Sequence, residues 1–224
     1  MTAAEMIAEL QDHGFDDASD ARMMAVLNDA YWDACAREPW PFLEKAVSMV
    51  VAASGTTSAS WPTDFRAAQQ ITVSTAGAAS GQKLDYMRSD DFTLQYGNDT
   101  TTGVPRVWYM IGNTAYFFPA ASPAQQLYML YLKQPAAIVD ASVEADIAIP
   151  AAFHRSVIVN GALFKLYAME DDTDIAPTFE TYYERGLQNM REYCWRRQYG
   201  TQDIVHPVDS DDVGLDVGMG YWVN

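Results

Sequence analysis

The stretch Ala36-Arg37-Glu38-Pro39-Trp40-Pro41-Phe42-Leu43 constrains this chain more than any other. A run of good helix formers precedes it. Pro39 biases Glu38 out of the helical region, and Pro41 does the same to Trp40. A helix therefore stops at Glu38, and the chain leaves the junction extended. Two large aromatics, Trp40 and Phe42, sit at this forced break. They are candidates for a seam between one kind of structure and another.

The hydrophobic period differs on the two sides. Before the junction, Thr2 and Glu5 form a T-x-x-E capping box, and Ala3, Ile7 and Leu10 follow helical spacing up to Gly14. Ser19 can cap a second helix whose stripe is Met24, Leu27, Tyr31 and Cys35. After the junction, "LEKAVSMVV" reads as a strand, with Leu43, Val47, Met49 and Val51 on one side. "SGTTSAS" reads as a flexible turn and "WPTDF" as a short helical turn. "QITVST", "KLDYMR", "RVWYMI", "TAYFFP" and "QLYMLYLKQP" read as strands, and "GNDTTTGVP" as a loop. Gly112-Asn113 fits a two-residue hairpin loop.

Helical spacing returns at Pro150, a residue suited to the first helical position. Phe153, Val157, Ile158, Leu163, Phe164 and Tyr167 surround most of that helix, which predicts a central, buried element. Thr173 or Asp174 can start a last helix with Phe179, Tyr183, Met190 and Cys194 as its stripe. Arg191, Arg196 and Arg197 lie near its C-terminal end, where the macrodipole favours cations. Gly200 ends it. The predicted fold is α+β: a four-helix bundle from residues 1–40 and 150–199, an antiparallel β-sheet domain inserted over 41–149 between the second and third helices, and an extended acidic tail over 200–224. The seam residues Trp40 and Phe42 would anchor the sheet to the bundle.

Charge narrows the function classes. The formal net charge is −16 over 224 residues. Residues 1–40 hold nine acids against two bases, and residues 200–224 hold five acids and no base. Such a chain repels phosphate, so a sequence-specific nucleic-acid binder is disfavoured. A wall past which DNA slides without being gripped is compatible with it. No apolar run reaches the ~20 residues of a membrane span. The first residues lack the basic and apolar regions of a signal peptide. Cys35 and Cys194 match no zinc or redox spacing and read as reduced, buried thiols.

Catalysis needs a nucleophile, base or metal held by spaced partners. His13, His154 and His206 lie in three separate segments, and no His-Glu-x-x-His, G-x-S-x-G, P-loop or G-x-G-x-x-G pattern occurs. Asp209, Asp211 and Gly214 fall at the first, third and sixth positions of a calcium loop. Val213 and Gly220 stand where further ligands belong, so a solvated charged segment is the reading. No catalytic residue, metal or cofactor is expected. Aromatics are many, and several fall in the sheet: Tyr86, Trp108, Tyr109, Tyr116, Phe117, Phe118, Tyr128 and Tyr131. Core packing and subunit contacts account for them. A small carbohydrate-binding module or hydrolase using the aromatic sheet is the alternative, with contact through Trp108 or Tyr109.

Taken in order, these motifs resemble the adaptor proteins of tailed bacteriophages, the head-to-tail connector or head-completion proteins. The resemblance rests on an amphipathic helix ending in Trp40–Leu43 and a turn with Pro62, Asp64 and Phe65. A loop with Gly103 and Pro105 follows, then a strand ending at Pro119 and another carrying Tyr128 or Tyr131. The helix start at Ile149, Pro150 and Phe153 completes it. It covers roughly residues 20–195. It implies a structural virion protein, made in the host cytoplasm and placed at the head–tail interface, that forms a ring under the portal protein. By resemblance the ring is a dodecamer, extends the DNA channel and presents a surface to tail or stopper proteins. DNA is then a passenger and not a ligand.

The tail adds one expectation. Ile204, Val205, Tyr221 and Trp222 are apolar residues in an otherwise acidic, glycine-containing segment. Such a segment buries too little surface to order alone. Terminal aromatics are good anchors in a partner's groove. The tail is therefore expected to order against the portal or a neighbouring subunit, with those four residues as contacts.

Overall fold

The computed structural model describes residues 1–50, 55–75, 81–97, 99–121, 125–139, 142–172 and 174–199. Residues 200–224, with the expected anchor residues Ile204, Val205, Tyr221 and Trp222, lie outside the described residues.

The helical part begins with α1 (Ala3–Leu10), capped by the reciprocal Thr2–Glu5 box. A wider turn, Gln11–Phe15, follows, and Gly14 takes φ +95° there. Only glycine adopts that conformation without strain, so the predicted stop is a conformational one. Ser19 accepts a hydrogen bond from the Arg22 N–H and starts α2 (Asp20–Arg37). Its buried face is Met23, Val26, Leu27, Ala30, Tyr31, Ala34 and Cys35, while Met24 is only half-buried. Glu38 is extended at φ −145°, as the following proline requires.

The junction then makes a short turn, Pro41–Leu43. Leu43 belongs to this turn and is buried in the helical core, not in the strand expected for it. The strand β1 (Glu44–Val50) starts one residue later. There follow β2 (Thr56–Ser60), β3 (Phe65–Thr75), β4 (Gln82–Lys83), β5 (Asp85–Tyr86), α3 (Ser89–Tyr96), β6 (Thr102–Gly103), β7 (Val107–Ile111), β8 (Thr114–Ala121) and β9 (Gln125–Lys133).

Where one antiparallel sheet was expected, the strands form two sheets. The first has the order β1-β9-β3-β4, and the second the order β2-β8-β7-β5 with β6 beside β8. The pairings β5–β7 and β6–β8 are parallel. The physical reason for two layers is the alternation along the strands. Ile71, Val73, Leu127, Met129 and Tyr131 of the first sheet present one apolar face. They bury it against Trp108, Ala115 and Phe117 of the second. The β7–β8 hairpin closes with Ile111 opposite Thr114, and Gly112 takes φ +56° in its two-residue loop.

After β9 the chain returns to the helices. Asn28 on α2 holds this return segment. Its Nδ2 donates to the Ile138 carbonyl at 2.8 Å, and the Ile138 N–H donates to its Oδ1 at 2.7 Å. Ile138, Ile147 and Ile149 are buried in the helical core. A tight turn (Ala151–Phe153) and a widened one (His154–Val159) lead into α4 (Asn160–Met169), and α5 (Ala176–Tyr199) follows. The widened turn and α4 together are central, with Val157, Ile158, Val159, Ala162, Leu163 and Leu166 all buried.

Two turns lie side by side at one end of the helical part. The Tyr167 hydroxyl donates to the His13 carbonyl at 2.8 Å, and the His13 ring meets Phe179 edge-on. This brings Asp12, Asp16, Asp17 and Asp20 to the same end as Glu170, Asp171, Asp172 and Asp174. Arg191, Arg196 and Arg197 lie toward the opposite end of α5.

Candidate assembly surfaces

Several titratable side chains among the described residues are held as structural groups. His154 is fully buried, with Nε2 at 2.8 Å from the Ile149 carbonyl and Nδ1 at 3.0 Å from the Met1 carbonyl. His13 Nδ1 lies 2.8 Å from the Glu9 carbonyl. Burial pushes the Cys35 thiol up to about 12 and raises that of Cys194, so neither is an activated nucleophile. His206 lies outside the described residues. Asp64 accepts hydrogen bonds from Lys45 Nζ and the Tyr131 hydroxyl, each at 2.7 Å. Those bonds hold its carboxyl below the usual range and tie the β1 strand to the turn before β3. Among the described residues no group of three or more histidines, cysteines or carboxylates is arranged to hold a metal.

The aromatic set is divided among three environments. Trp108, Phe117 and Tyr131 are buried between the sheets. Tyr109 and Phe118 lie under α3, with Phe92 at 4.2 Å from the Tyr109 ring and Tyr96 stacked at 4.1 Å on Phe118. Tyr86 and Tyr128 are exposed, one on each sheet. A sugar platform needs coplanar rings open to solvent. Trp108, a residue such a platform would use, is 5% exposed. The helix α3 (Ser89–Tyr96) goes beyond the strands and loops that the sequence pattern predicts here. Its signal is short: acidic residues at 90 and 91 in the first turn, then Phe92 and Tyr96 four residues apart.

The seam is a compact unit. Trp40 is 2% exposed, and its Nε1–H donates to the Ala34 carbonyl at 2.8 Å. The half-buried Phe42 stacks on it with 11° between the ring planes. Arg66 on β3 donates to the Cys35 carbonyl at 2.7 Å, and Arg191 on α5 pairs with Glu38. Arg66 therefore satisfies carbonyls at the end of α2, which lack helical partners, while Arg191 pairs with the Glu38 carboxylate and adds positive charge where the macrodipole is negative.

Two kinds of surface are left open. On the helices, Trp32, Tyr182, Tyr193 and Trp195 are exposed aromatics. On the first sheet, β1 is a terminal strand that among the described residues pairs only with β9, from Glu44 opposite Leu132 to Val50 opposite Gln126, without a register shift. Among the described residues no helix is long and apolar enough to cross a membrane.

The family model described as SU10 adaptor protein matches residues 1–206. The match takes in the helices, both sheets and the seam between them. No curated protein matches the chain. That family is one of structural virion proteins, whose setting is the phage portal and tail. The aromatic-flanked seam, the inserted sheets and this match agree, and the chain belongs to the phage head-to-tail adaptor family.

Proposed function

We propose that the chain assembles as a closed ring beneath the portal, extends the DNA channel and gives tail or stopper proteins their attachment surface. The observation that carries this reading is the family match over residues 1–206. Physical support comes from the net charge of −16, which suits a wall that DNA passes without adhering. Twelve copies is the count carried by the resemblance. The ring has no enzymatic activity in this reading, and DNA meets it only as a passenger.

Within each copy, residues 1–40 and 150–199 act as a four-helix bundle, 41–149 as the inserted β-rich domain, and 200–224 as a docking tail. Trp40 and Phe42 anchor the insert to the bundle. The tail contacts a neighbouring subunit or the portal through Ile204, Val205, Tyr221 and Trp222. Such contacts let the ring form on the portal and not in free solution. Electron microscopy of the purified chain mixed with its portal is the test. A closed ring coaxial with the portal supports the assignment. Portal particles that stay bare at saturating adaptor concentration overturn it.

A further inference from the structure

The strand edges of this protein are not equally protected. The lower half of β3 has register shifts between Phe65 and Ala67 and between Ala68 and Gln70. β2 is five residues long and has a register shift between Thr56 and Ser58. β4 and β5 are two residues each. Shortness and bulges are the devices that keep an edge from pairing with another chain. β1 has neither. It runs seven residues in unbroken register with β9, contains no proline, and has no backbone partner on its other side among the described residues. Its Ala46 and Ser48 are exposed and small, so the backbone itself is reachable. Such an edge is a template for an added strand.

The position of α5 suggests which strand. Arg191 pairs with Glu38, six residues before β1 begins, and α5 continues eight residues further to Tyr199. The segment 201–224 therefore follows a helix that passes the seam at Arg191 and runs about 12 Å beyond it. It contains two short β-prone runs, Ile204-Val205 and Tyr221-Trp222-Val223, and no base to oppose Lys45. Its 24 residues reach up to about 80 Å when extended, which is ample to arrive at an adjacent molecule.

We propose that residues 201–224 of one copy add a strand to the β1 edge of the next copy. This rests on the ring reading above. A strand handed to the next copy is a head-to-tail contact, the kind that closes into rings, whereas a strand laid on its own β1 links nothing. Backbone pairing sets the contact along β1. The apolar side chains of the added strand extend the face that Val47 already packs against the inter-sheet core.

The test uses the full chain with p-benzoyl-phenylalanine in place of Ser48, assembled on its portal and irradiated. The expected result is a ladder of covalently joined adaptor chains on a denaturing gel, with the cross-linked peptides mapping to 201–224. In the double variant Ile204→Pro and Val205→Pro the ladder is lost or strongly reduced while the melting temperature is unchanged. Cross-links confined to single chains, cross-links to portal, or a ladder that persists in the proline variant overturn the proposal. A ring that forms without any ladder overturns the strand exchange alone. Failure of any ring to form overturns the ring reading, and the exchange with it.

Discussion

The Tyr183 hydroxyl on α5 donates a hydrogen bond of 2.8 Å to Asp33 Oδ2 on α2. Tyr183 is 2% exposed, and its ring lies 3.1 Å from where a Cβ on Gly161 of α4 would stand. Three helices meet at this tyrosine, and a methyl group at Gly161 would fit only if its neighbours gave by a few tenths of an ångström.

That fit reverses an ordinary expectation. Glycine to alanine inside a helix normally stabilises by roughly 0.5–1 kcal/mol. At Gly186 the new Cβ would lie 2.3 Å from the Ser156 carbonyl oxygen, so backbone must move. Gly186→Ala should destabilise by about 1–3 kcal/mol, and Gly161→Ala by less, because a ring edge yields more readily than backbone. Urea unfolding of the two variants checks the order. A stabilised Gly186→Ala would show that α5 does not approach Ser156 this closely.

Alkaline pH should unfold the protein through three buried groups. Burial raises the Cys35 thiol from 9.0 to about 12. Burial also raises the Tyr31 and Tyr183 hydroxyls above 10.0, and for Tyr183 the hydrogen bond to Asp33 adds to it. Each folded-state value lies above its unfolded value, so the folded chain holds these protons longer. Their contribution is full below about pH 9 and declines above it, by up to ~1.4 kcal/mol per pH unit for each group. Urea midpoints measured from pH 8 to 11 should fall, and Cys35→Ala with Tyr31→Phe should flatten the decline. A midpoint independent of pH contradicts the burial of these groups.

The seam should be costly to disturb. Truncating a buried tryptophan removes ~3–5 kcal/mol, a large share of a ~5–15 kcal/mol total. Trp40→Ala also frees the Ala34 carbonyl that its Nε1–H satisfies. The melting temperature should drop by many degrees. A shift within error would mean that the indole is not part of the core.

DNA binding should be absent at physiological salt. The −16 charge opposes a phosphate backbone. A gel shift at micromolar protein that weakens with added salt would favour an accessory DNA-binding role, and Arg191, Arg196 and Arg197 would be the residues to substitute.

A chain ended at Gly200 should keep the melting temperature of the full protein, because both described hydrophobic cores lie before that residue. It should fail to form a ring on the portal. Normal assembly would move the docking role to the helices or the sheets.

Local signals in the sequence carried much of the architecture. The Thr2–Glu5 box, the Ser19 cap, the proline junction and the Gly112-Asn113 loop each act over a few residues, and each is present where its chemistry places it. What was not legible depends on distant pairing. Residues 56–60 are small and polar and read as a turn, yet they form β2 because β8 offers a ladder, with Ser58 opposite Tyr116. Leu43 continues the strand pattern but follows the junction turn into the helical core. The second sheet and α3 exist because apolar faces need covering, which no window along the chain reveals. The open edge of β1 is likewise a property of topology and has no sequence signature.

The side-by-side turns at one end of the helices have an electrical consequence. Eight carboxylates gather there, and Arg191, Arg196 and Arg197 lie toward the far end of α5. At 1.5 Å per residue, those arginines stand about 22–32 Å along α5 from its start. Each copy is thus an oriented dipole as well as a net anion. In the field of another charged body it experiences a torque before contact, so copies approach a common target already pointing the same way. That alignment weakens once the Debye length falls below the size of the molecule, so added salt should randomise the approach and slow productive encounters.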